Sequence, residues 1–127
     1  MLSMRQTDIM GQIVNDTWGK SSTPKSPSST LKVTMTSDNT LSFLYMTIVT
    51  FASEKSLHDQ RRKLDGESAE IINKGAADIK KQFKDMAGET IKLKEVSSDD
   101  SLEITYFNQF TPLRRAYYRR RAVFQLG

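Results

Sequence analysis

The chain has 127 residues, 37% hydrophobic and 27% charged, with no cysteine and a net charge of +4. That is room for one domain with a modest core, and it excludes disulfides and thiolate metal sites. No run approaches the ~20 apolar residues that span a bilayer. Residues 1–10 lack the order of a secretory signal, so the expected location is intracellular, in the cytoplasm or in a particle assembled inside a cell.

From the N-terminus, Thr7 to Trp18 places Ile9, Ile13 and Val14 with Trp18 near helical spacing, with Thr7 or Asp8 as cap. So short a helix is unstable alone and must dock on its own domain or a neighbour. Residues 19–30, rich in serine with Pro24 and Pro27, have nothing to fill a core and describe a linker or extended arm. The expected organisation is an N-terminal helix and arm over 1–30, then one α+β domain over 31–127.

Leu31, Val33 and Met35 alternate with polar residues, the pattern of a half-buried strand. A turn follows at Ser37–Thr40. Leu41 to Ala52 is rich in Phe, Tyr, Ile, Val and Thr, which favours a second strand buried on both faces over a helix. A helical region starts near Ser53, and its apolar seam is Ile72, Ala76, Ile79, Phe83 and Met86. Gly66 is expected to break or bend it and Gly88 to stop it.

Ile91 and Leu93, a polar turn at Ser97–Ser101, and then Leu102, Ile104 and Tyr106 read as a second hairpin. For Leu113 to Leu126 a helix started by Thr111-Pro112 competes with a strand. The strand is preferred, because Ala116, Tyr118, Ala122, Phe124 and Leu126 share one parity, which Arg120 interrupts. The expected fold is α+β: an antiparallel sheet of four or five strands, two hairpins flanking one long helix in sequence, with the short helix and arm in front.

The sharpest local feature is five arginines in eight residues: Arg114, Arg115, Arg119, Arg120 and Arg121, interleaved with Tyr117 and Tyr118. Nineteen basic residues face fifteen acidic ones, so without these five the balance is 14 against 15, or −1. Guanidinium groups beside aromatic rings suit an anionic partner, either phosphate or a carboxylate-bearing protein face. The alternative is pairing with Asp99, Asp100 and Glu103 nearby.

Reaction motifs are missing. His58, the single histidine, sits in a polar helical stretch without a second positioned group. Asp99-Asp100 lacks the alternating ligands and closing glutamate of a calcium loop, and Glu67 with Glu70 suits a helix start. Gly19-Lys20-Ser21 lacks the first glycine and the strand–loop–helix context of a phosphate loop. Thr23-Pro24 and Ser26-Pro27 are chance-level phosphorylation patterns. No enzyme, metal or cofactor is expected. The expected function is a structural or assembly subunit of a larger protein complex, such as a viral particle, with the arm and the arginine strip as interfaces. The alternative partner is nucleic acid, with Tyr106, Tyr117 and Tyr118 available for stacking.

Overall fold

The computed structural model describes residues 4–17, 29–36, 38–106 and 112–127. Trp18, the polar arm up to residue 28 and the loop over residues 107–111 lie outside the described residues. Two helices, α1 (Met4–Thr17) and α2 (Glu54–Ala87), lie on one face of a four-stranded antiparallel sheet. Its strands are β1 (Thr30–Met35), β2 (Thr40–Phe51), β3 (Leu93–Tyr106) and β4 (Arg114–Leu126), in the order β1-β2-β4-β3. The α+β class, the four-stranded antiparallel sheet and the long helix between two antiparallel strand pairs agree with the sequence reading. The second pair, however, is β3 with β4 rather than a hairpin within residues 91–106.

The core lies between sheet and helices. Leu31 and Val33 of β1, Leu41, Phe43 and Tyr45 of β2, and Tyr118, Ala122, Phe124 and Leu126 of β4 point inward at alternate positions. They meet Ile72, Ala76, Ile79 and Phe83 of α2. Met10, Ile13 and Val14 of α1 are buried in this same cluster, with Ile9 packed against its edge, so the short helix docks on its own domain. Phe43 meets Phe124 edge to face, with ring centroids 5.4 Å apart. Met86, the last residue of the expected seam, is 53% exposed.

The helix α2 starts cleanly because Ser53 Oγ accepts from Ser56 N at 3.1 Å. It ends where Gly88 adopts φ 70° and its N–H returns to the Lys84 carbonyl at 2.7 Å. Gly66 does not break it: the helix runs for 34 residues without interruption. A mid-helix glycine costs roughly 1 kcal/mol against alanine, far less than the burial of Leu57, Leu64, Ile72 and Ile79 on either side supplies. Glu67 and Glu70 therefore sit in mid-helix, and Glu67 pairs with Lys63 at 4.0 Å one turn back.

Two strands differ from expectation. β2 is buried on one face only: Leu41, Phe43, Tyr45 and Thr47 are covered, while Met46, Ile48 and Thr50 are exposed. No layer covers the opposite face among the described residues. β3 has no turn at Ser97–Ser101; it is one edge strand paired with β4 along its whole length. The polar run stays extended because arginines face it, with Asp99 opposite Arg121, Asp100 opposite Arg120 and Ser101 opposite Arg119. A bulge at Val96 shifts the register between Glu95 and Ser97.

Candidate functional site

Strand periodicity divides the arginine cluster between the two faces of the sheet. Arg115, Tyr117, Arg119 and Arg121 share the uncovered face, whereas Arg114, Tyr118 and Arg120 have the parity of the core. Arg114 lies over the Phe51 ring, its guanidinium carbon 5.0 Å from the centroid. Tyr118 is fully buried, so it offers no ring to an external base. The side chain of Tyr106 is not described.

The antiparallel register arranges the uncovered face in rows. Lys32, Leu44, Arg121 and Asp99 form one row across β1, β2, β4 and β3. Thr30, Met46, Arg119 and Ser101 form the next, and Ile48, Tyr117 and Glu103 the one after. Each strand therefore contributes a stripe of its own chemistry. The β2 stripe is apolar, with Met46 and Ile48 each 38% exposed. The β4 stripe is basic with one aromatic ring, and the β3 stripe is acidic and hydroxylic. Arg119 Nη1 stands 3.9 Å from Glu103 Oε2, and Arg115 Nη1 donates to Tyr117 Oη at 3.3 Å. A shallow depression on the β3–β4 side of the sheet is lined by Leu44, Asp99, Asp100, Ser101, Arg119 and Arg121.

On the covered side, Arg120 joins a polar cluster at the boundary between sheet and α2. Tyr118 Oη donates to Asp65 Oδ1 at 2.6 Å and lies 3.2 Å from Ser68 Oγ. Arg61 Nη2 approaches Asp100 Oδ2 at 3.5 Å. A hydrogen bond shared with Asp65, then the Arg61 and Arg120 guanidinium groups, hold the Asp100 carboxyl below the usual carboxylate range. Burial and the bond to Asp65 push the Tyr118 hydroxyl up to about 12. A second buried network joins Ser29 Oγ to Thr47 Oγ1 at 2.9 Å, with Tyr45 Oη donating to Ser29 Oγ at 3.3 Å. It fixes the end of the arm against β2.

Sequence reasoning missed the apolar stripe of Leu44, Met46 and Ile48. The one local hint was ring parity, with Phe43, Tyr45 and Phe51 on one face of β2, and the equal hydropathy of Leu44, Met46 and Ile48 masked it. It also missed Arg61, Asp65 and Ser68, although the charged Arg120 within an apolar parity pointed to polar partners beneath the sheet.

Among the described residues no three potential metal ligands cluster, and no helix is long and apolar enough to cross a membrane. Comparison with protein-family models, curated proteins and solved structures finds no match to this chain.

Proposed function

We propose that this protein is a non-enzymatic assembly subunit of a larger protein complex, such as a viral particle, and that the uncovered sheet face is its main interface. The observation that carries this reading is the composition of that face. Exposed Met46 and Ile48 lie beside Tyr117, Arg119 and Arg121, residue types enriched at the centres of protein interfaces. A sheet face of this kind normally packs on another layer.

Nucleic acid is the second reading, and the neighbouring strand argues against it. Asp99 and Glu103 stand on the same face as the arginines and repel phosphate, and Tyr117 is the one aromatic residue among the described positions of that face. Stacking platforms place several rings along a basic groove.

The test is fluorescence anisotropy of labelled single- and double-stranded nucleic acid across a salt series, with the Arg115→Ser/Arg119→Ser/Arg121→Ser variant beside the wild type. The expected result is weak binding at moderate salt that the variant barely changes. Tight binding with a steep salt slope that the variant abolishes overturns the assembly reading in favour of nucleic acid.

A further inference from the structure

Resting on that reading, we infer that the occupant of the uncovered sheet face is a second copy of this chain, related by a two-fold axis that runs along the strands between β2 and β4. Such an axis reverses the strand order within each row while keeping the row itself. In the row of Lys32, Leu44, Arg121 and Asp99, it sets Lys32 over Asp99 of the other copy and Leu44 over the stem of Arg121. In the next rows Met46 covers the stem of Arg119, and Ile48 meets the ring of Tyr117. Every such contact occurs twice, as an isologous interface requires.

Charge decides the orientation. A two-fold axis across the strands sets β4 on β4, so that arginine faces arginine at the centre of the interface. The axis along the strands instead brings Lys32 at the β1 edge onto Asp99 at the β3 edge and leaves the apolar stripe over aliphatic stems and one ring. Aligned sheets pack about 30° apart, an offset that the long Lys32 side chain absorbs.

The size is sufficient. Four strands at ~4.8 Å spacing and up to a dozen residues at ~3.4 Å give on the order of 600 Å² per copy. The pair then buries about 1,200 Å², the lower end of specific interfaces.

The test is sedimentation equilibrium of the full chain at about 50 µM, with Lys32→Glu, Asp99→Lys and the double variant, each checked for native circular dichroism. Within one chain Lys32 and Asp99 are three strand spacings apart, about 14 Å, so any rescue between them acts across copies. The wild type is expected at twice the chain mass. Each single change places like charges together at two symmetric points and raises the dissociation constant about tenfold; the double change restores it. A monomeric wild type, indifference to the single changes, or failure of the rescue overturns the inference. Labelled nucleic acid added to a monomeric wild type then separates two outcomes. Without binding, only the self-association falls and a different protein partner remains. With tight, salt-sensitive binding, the assembly reading falls as well.

Discussion

Tyr118 and Asp65 meet through a 2.6 Å hydrogen bond from the phenol to Oδ1, and this contact carries a polar seam through the layer between β4 and α2. Ser68 Oγ stands 3.2 Å from the same phenol oxygen and donates to the Asp65 carbonyl at 3.2 Å. Removing the phenol leaves Asp65 and Ser68 facing a dry ring. Tyr118→Phe is therefore expected to lower stability by about 1–3 kcal/mol, read from urea unfolding. Tyr118→Phe/Asp65→Ala should lose less than the sum of the single changes, because both delete one contact.

The same cluster sets how stability depends on pH. The folded Tyr118 hydroxyl, raised to about 12, lies above its unfolded value of about 10. Its contribution is fully present below pH ~10 and is lost as pH rises through ~12. The Asp100 carboxyl is lowered, so its contribution is present above the ordinary carboxylate value of about 3.9 and is lost as pH falls through its lower folded value. Urea midpoints measured against pH should show a plateau between these limbs. Tyr118→Phe is expected to flatten the alkaline limb and Asp100→Asn the acid one; unchanged limbs in both variants sink this account.

Two glycines of similar local sequence should respond in opposite directions. Gly66 lies inside α2, where an added Cβ meets nothing within 4 Å, whereas Gly88 holds φ +70° at the helix end. Gly66→Ala is expected to stabilise by about 0.5–1 kcal/mol through helix propensity and a stiffer unfolded chain. Gly88→Ala should destabilise by about 1–2 kcal/mol, because an L-residue resists the left-handed cap. Thermal melts of both variants decide the matter.

What could be read from the chain in advance was whatever alternation or capping writes locally. The run Leu31, Val33, Met35, the seam from Ile72 to Phe83 and the stop at Gly88 each follow from spacing alone. β3 was illegible because its stability is not local. Its polar middle, Ser97 to Asp100, is held extended by Arg120, Arg121, Ala122 and Val123 on the neighbouring strand. One sign of continuity was present: Leu93 and Leu102, nine residues apart, both lie against the core. An odd separation on one face of a strand requires an extra residue, which is the bulge at Val96. The uncovered face was hidden for a related reason. Leu44, Met46 and Ile48 are as apolar as their buried neighbours, so hydropathy alone assigns β2 two buried faces. Likewise, five consecutive-looking arginines become two groups once strand parity sends Arg114 and Arg120 to the helix side.

The placement of α1 gives the last prediction. Ile13 is 1% exposed and Met10 is 0% exposed, within the cluster that also holds Leu31, Ile79 and Phe83. If this helix is part of the core, Ile13→Ala costs about 2–5 kcal/mol, and deletion of residues 1–17 opens Ile79 and Phe83 to water. The deleted protein is then expected to melt at much lower temperature and to bind a hydrophobic dye before unfolding. A chain without residues 1–17 that keeps its melting temperature, together with an Ile13→Ala change under about 0.5 kcal/mol, would place α1 on a neighbouring molecule instead. The point substitution carries the decision, because at a buried position it changes the packing of one side chain.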